Sequence, residues 1–179
     1  MILAARIGIL AFCLTALLPA CLSMPTAKAQ ESESAVPGMA PPTGLPVPRF
    51  VSLRSAEVNV RTGPGTRYPV EWVFVKRDIP VEITAEFDTW RRIRDWEGTE
   101  GWVHQSMLSG KRAMVVLGDV RTLRRTAGDN AGGLAKVEPG VAGKLLHCQT
   151  NWCEVNVGGY RGWLQKSEFW GVYPTETVE

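Results

Sequence analysis

The chain has 179 residues, 45% of them hydrophobic, with 20 lysines and arginines against 18 acidic residues. Arg6 and Lys28 precede position 30 with no acid beside them, so the rest of the chain carries 18 charges of each sign. That balance gives no overall electrostatic footprint for nucleic acid, whose binders carry a net basic excess and a high pI, and no apolar run reaches the roughly 20 residues of a membrane-spanning helix.

The apolar run Ile7–Leu18 follows the charge at Arg6 and stops at Pro19, the length of a signal-peptide core. Ala27-Lys28-Ala29 then places small residues at the two positions a signal peptidase reads, which predicts a leader over 1–29, cleavage before Gln30 and a periplasmic or secreted product. Leu18-Pro19-Ala20-Cys21 offers a competing cleavage with a lipid anchor at Cys21. Pro19 departs from that pattern, so the unanchored form is preferred. Residues 30–49 hold Pro37, Pro41, Pro42, Pro46 and Pro48 with few bulky apolar side chains, and predict a disordered or polyproline-II linker.

Beyond the linker the chain repeats itself once. Asp88-Thr89-Trp90-Arg91-Arg92-Ile93, a turn at Glu97–Glu100, and Gly101-Trp102-Val103-His104-Gln105-Ser106 form the first copy. Thr150-Asn151-Trp152-Cys153-Glu154-Val155, a turn at Gly158-Gly159, and Gly162-Trp163-Leu164-Gln165-Lys166-Ser167 form the second. The tryptophans are 12 positions apart in one copy and 11 in the other, a difference that falls in the hairpin turn. Val81, Ile83, Ala85 and Phe87 alternate with Glu82, Thr84 and Glu86, and Cys153, Val155 and Val157 alternate with Glu154 and Asn156, the period of half-buried antiparallel strands. The expected class is all-β: two tandem small barrels over 50–110 and 111–173, a tail over 174–179, and one-turn helices near 105–108 and 166–169. At about 60 residues each, near the lower limit for a self-sufficient core, the barrels are expected to lean on each other.

Cys13 and Cys21 leave with the leader, and Cys148 and Cys153 remain. An even pair in an exported chain, with four residues between, predicts a disulfide across a short hairpin rather than a redox or metal site.

Asn59-Val60-Arg61-Thr62-Gly63-Pro64-Gly65-Thr66-Arg67-Tyr68-Pro69, with the later Gly101-Trp102-Val103, resembles the bacterial SH3-type domain. The second copy is similar in its latter half and at Leu123-Arg124, but carries Thr126-Ala127-Gly128-Asp129-Asn130 where the first has the Gly-Pro-Gly loop. The resemblance implies small closed barrels in a cell-envelope protein. It extends to tandem exported SH3-like proteins of proteobacteria, a group with no established role.

On that resemblance, the candidate ligand groove lies between the loop after the first strand and the next hairpin, where it gathers Arg67, Tyr68, Trp72 and Trp96. Aromatic side chains supply contact area at low entropic cost, and an arginine pairs with a carboxylate such as those of wall stem peptides. The alternative has Tyr68 and Trp72 pack the loop onto the barrel. In the second copy Arg121, Arg124 and Arg125 offer charge without aromatics, an electrostatic assistant. His104 and His147 have no nucleophile or acid at catalytic spacing, so catalytic residues, cofactors and metals are all expected to be none. The reading is a non-enzymatic envelope module for peptidoglycan, glycan or stem peptide, or for an envelope protein. The alternatives are an accessory or targeting subunit of a cell-wall hydrolase and a purely structural partner.

Overall fold

The computed structural model describes residues 43–179. The expected leader, the cleavage before Gln30, Cys21 and the linker up to residue 42 lie outside the described residues.

Among the described residues, fourteen strands build two separate sheets. The first contains β1 (Arg49–Leu53), β2 (Val58–Arg61), β3 (Val70–Phe74), β4 (Pro80–Phe87), β5 (Trp90–Arg94), β6 (Glu100–His104) and β7 (Leu108–Ser109). The second contains β8 (Ala113–Val116), β9 (Arg121–Arg124), β10 (Gly133–Val137), β11 (Ala142–Cys148), β12 (Trp152–Val157), β13 (Tyr160–Gln165) and β14 (Phe169–Trp170). Their strand orders are β3-β2-β6-β5-β4-β1-β7 and β10-β9-β13-β12-β11-β8-β14, one topology written twice. Single turns of 3-10 helix stand where the sequence places them, at Gln105–Met107 and Lys166–Glu168.

Each sheet rolls around its own core, because strands from its middle and both its ends bury side chains in one cluster. Val51, Leu53, Val58, Val60, Val81, Ile83, Ile93, Val103 and Leu108 form the first. Met114, Val116, Leu123, Val137, Leu145, Val155, Leu164 and Phe169 form the second, together with Cys148 and Cys153. Those cysteines face each other in the β11–β12 register and are bonded, with their Cα atoms 4.1 Å apart. Strand β12 alternates as expected, its cysteine and both valines buried.

Strand β4 departs from its simple alternation. A register shift between Ile83 and Ala85 marks a bulge, and an extra residue there reverses which side chains face inward. Phe87, expected inside with Val81 and Ile83, is therefore 43% exposed. Its ring stands edge-on against Trp102, with centroids 6.5 Å apart. The vacated inner position goes to Glu86, which meets buried Arg91 at 3.2 Å and Arg49 at 2.6 Å. Arg91 also donates to the carbonyls of Asp88 and Trp90 and to Gln105 Oε1, so this buried cation is hydrogen-bonded on every side. Thr43, placed by the sequence in the linker, donates its backbone N–H and its hydroxyl to Glu86.

The two barrels lean on each other through strands buried on both faces. Phe50 and Ser52 are the off-core residues of β1, and Ala113 and Val115 those of β8; all four are buried. Across the junction Phe50 meets Trp170 and Tyr173, each with centroids 4.7 Å away. Tyr173 donates its hydroxyl to Glu82 Oε1 at 2.7 Å, and Arg94 binds the other oxygen of that carboxylate. Glu82 is thus 2% exposed, although its place in the alternation assigns it to solvent. Residues 174–179 are held as well: Cys148 N–H donates to Val178 O at 2.8 Å, and Arg112 pairs with Glu176.

Candidate binding grooves

Both barrels present the same groove, built from equivalent positions. In the first, Trp90 opens β5 and lies opposite His104 at the end of β6. In the second, Trp152 opens β12 and lies opposite Gln165 at the end of β13. The alternation that sends Ile93 and Val155 inward sends both indoles outward. A 3-10 turn follows each partner residue and sets a serine, Ser106 or Ser167, on the rim.

The other wall is a loop whose hydrogen bonds repeat at an offset of 63 positions. Thr62 N–H donates to Pro69 O and Tyr68 N–H to Gly65 O; Arg125 N–H donates to Gly132 O and Ala131 N–H to Gly128 O. Arg61 ties the first loop down by donating to Thr66 O and Tyr68 O, and Arg124, its counterpart opposite Trp163, donates to Ala131 O. The two loops therefore share a path despite unlike sequences. Thr66 and Asp129 take the same place in them, each facing its groove. The first groove encloses about 280 Å³ and adds Asn59 and Glu57; the second encloses about 450 Å³ and adds Thr150 and Asn151. Gln165 donates to Asp129 across the second groove at 2.6 Å.

Glycine before the second tryptophan lets the strands meet behind the groove. A Cβ at Gly101 would stand 2.4 Å from Val60 Cγ1, and one at Gly162 would stand 2.6 Å from the carbonyl oxygen of Arg124. Only glycine permits that approach between β2 and β6 and between β9 and β13.

His104 Nδ1 lies 2.7 Å from Ser106 Oγ, the reach of a base from a nucleophile. The same nitrogen accepts from Ser106 N–H and caps the 3-10 turn. In the second barrel Gln165 holds that cap position with Ser167 beside it, and an amide cannot act as a base. The pair is therefore a turn cap. Among the described residues, no group of three or more His, Cys, Asp or Glu is placed to hold a metal ion, and no helix is long and apolar enough to cross a membrane.

The bacterial SH3 domain family matches residues 54–110 and again 119–171, well over half of the chain. The chain belongs to the bacterial SH3 domain family. Structures with a similar arrangement include NlpC1 from Trichomonas vaginalis, at 10% identity and a TM-score of 0.32 over 73% of this chain and 48% of that one. NlpC2 from the same organism matches at 11% identity and 0.32 over 69% and 48%. The chain spans about half the length of those two proteins. No curated protein matches.

Within these bacterial SH3 domains the four residues singled out in the sequence divide between the first loop, which holds Arg67 and Tyr68, and the edge of the first core, which holds Trp72 and Trp96. Tyr68 lies on Gly63, where a Cβ would come within 2.5 Å of its ring. Arg67 stacks over Tyr68 at 5.1 Å from the ring centroid. Trp72 and Trp96 are partly buried against the first core. Among the described residues no ring contact joins Tyr68 to Trp72 or Trp96. In the second barrel Arg121 is engaged with Leu117 O and Arg124 with its loop and the Trp152 face, which leaves Arg125 as the exposed cation of the three. The residues that do line the grooves were visible in the sequence as repeat matches, Trp90 with Trp152 and Ser106 with Ser167. Outward polar or aromatic positions that recur in both copies were the signal.

Proposed function

We propose that the protein is a non-enzymatic, exported binding module of the cell envelope that holds peptidoglycan through the two repeated grooves. The observation that carries this reading is the duplication of one open site on two loops of different sequence: an indole flanked by hydrogen-bonding groups, with charges of both signs in each wall, Glu57 and Arg61 in one and Asp129 and Lys166 in the other. An indole face packs on the C–H face of a sugar or on a peptide plane, while threonine, serine, asparagine and amide groups at the rim orient hydroxyls and amides. Neither groove carries the cation cluster that a highly charged ligand would need, which favours neutral glycan or peptide backbone. Two weak sites on one chain add avidity on a repeating polymer, and the disulfide suits an extracytoplasmic setting.

Retention of the chain from Gln30 to Glu179 on purified sacculi tests the proposal. Trp90→Ala with Trp152→Ala should lower retention by at least about tenfold, the scale of losing an aromatic anchor. Tyr68→Ala with Trp72→Ala should leave retention nearly intact wherever the variant stays folded. A wild-type protein that does not sediment with sacculi overturns wall binding and points to an envelope protein as partner.

A further inference from the structure

A cavity of about 550 Å³ lies at the junction of the barrels, away from both grooves. Arg54 and Arg77 come from the first barrel, Lys111 from the connection, and Arg112 and Lys144 from the second. Asp78 is the single acid in its wall. A neighbouring hollow of about 310 Å³ shares Arg77, Asp78 and Lys144 and adds Lys76, so the cationic cleft continues past the cavity mouth.

These cations are the ones the fold leaves over. The six ion pairs among the described residues engage Arg49, Arg91, Arg92, Arg94, Arg112 and Arg161. Arg54, Arg77, Lys111 and Lys144 enter none of them and are exposed. With Arg112 neutralised by Glu176, four cations stand against Asp78, an excess of three charges. Ser52 Oγ and Arg112 Nε, on two wall residues, are buried polar atoms without a hydrogen-bond partner. Like charges drawn together by packing repel one another, and a bound anion relieves that repulsion.

We infer that this cleft is an anion site for a ligand carrying two phosphate groups, gripped by both barrels at once. One phosphate monoester carries about −1.5 to −2 at neutral pH, so a pair of phosphates matches the excess where one does not. Donors reach the cleft from two barrels and the segment between them, which suits oxygens set tetrahedrally around phosphorus better than the planar fork of a carboxylate. A ligand so held ties the barrels together and should raise their melting temperature.

Calorimetric titration of the full chain with inorganic pyrophosphate, at about 0.15 M salt to screen exposed charge, tests the site. One pyrophosphate per chain should bind, at least about tenfold more tightly than inorganic phosphate or the tricarboxylate citrate, with a rise in melting temperature. Arg77→Glu with Lys144→Glu should abolish binding, and the milder Arg77→Gln with Lys144→Gln should weaken it. Arg67→Glu with Arg125→Glu, the same charge change on the two loops, should leave it within about twofold. Equal affinity for citrate, equal loss in the loop variant, or no saturation with pyrophosphate overturns the site. Vesicles of phosphatidylcholine containing a lipid with a two-phosphate headgroup identify the source. Sedimentation with them, reversed by pyrophosphate, assigns a membrane lipid; pyrophosphate binding without sedimentation assigns a soluble ligand.

Discussion

Glu86 shows how one side chain closes an end of the first barrel. Burial pushes its carboxyl upward, but the Arg49 hydrogen bond, the two bonds from Thr43 and the charge of Arg91 outweigh it and hold the pKa down to about 2. An unfolded glutamate titrates near 4.5. A carboxylate depressed in the folded state adds stability that is fully present above the unfolded pKa and is lost as pH falls through the folded one. The acid limb between about pH 4.5 and 2 should therefore cost the first barrel on the order of 2 kcal/mol from this group, after allowance for water at its rim. Glu86→Gln should be less stable at neutral pH and lose less on acidification, as read from denaturant midpoints across that range. A variant with the wild-type slope would remove Glu86 from the account. Glu176, held low against burial by Arg112, titrates in the same sense in the second barrel.

At the scale of elements, the β11–β12 hairpin and the β4–β5 hairpin are equivalent in topology and braced differently. The first carries the disulfide between paired cysteines, and Cys148 also anchors Val178 through its backbone. The second uses the Glu86, Arg91 and Arg49 cluster. Closing a loop this short is worth on the order of 2 kcal/mol in the chain-entropy account. Reduction should lower the stability of the second barrel by about that amount, and Cys148→Ser with Cys153→Ser by somewhat more, since that variant also replaces two buried sulfurs in the core with hydroxyls. Hydrogen exchange would locate the loss, expected in β11, β12 and the 174–179 segment, with β2 and β6 nearly unchanged. Intact mass showing two free thiols before reductant would remove the bond itself.

At the scale of the whole molecule, the junction contacts should couple the folding of the two small barrels. Phe50 belongs to neither core, yet it is buried between Trp170, Tyr173 and the Arg112 guanidinium, 5.7 Å from its ring. Burial and the Glu82 carboxylate beside it push the Tyr173 hydroxyl upward, so it stays a donor through the physiological range. Phe50→Ala should cost roughly 3 kcal/mol, the low end for a buried phenylalanine. Wild type should melt in one transition and the variant in two, by calorimetry; one unshifted transition in the variant would show that the barrels fold without this contact.

The class of fold, its duplication, both 3-10 turns and the cysteine pair were all legible in the residues. Each is written in a local pattern: alternation at a period of two, glycine before tryptophan, a cysteine spacing that fits one hairpin. The β4 bulge was not, since Thr84 and Ala85 suit a regular strand and the inserted position is set by pairing with β5. The candidate groove was half legible, its tryptophans and serines marked by the repeat. Its far wall became visible only when Arg61 and Arg124 were found holding loops of unlike sequence to one path. The cationic cleft left no local sign, because Arg54, Arg77, Lys111 and Lys144 are separate in the chain and each reads as an ordinary exposed charge. Sequence alone determined which face turns inward in the regular strands, such as β5 and β12, since that follows from the residue and its neighbours. Only the tertiary structure decided what covers the outward faces and which leftover charges meet, because those depend on how two finished barrels dock.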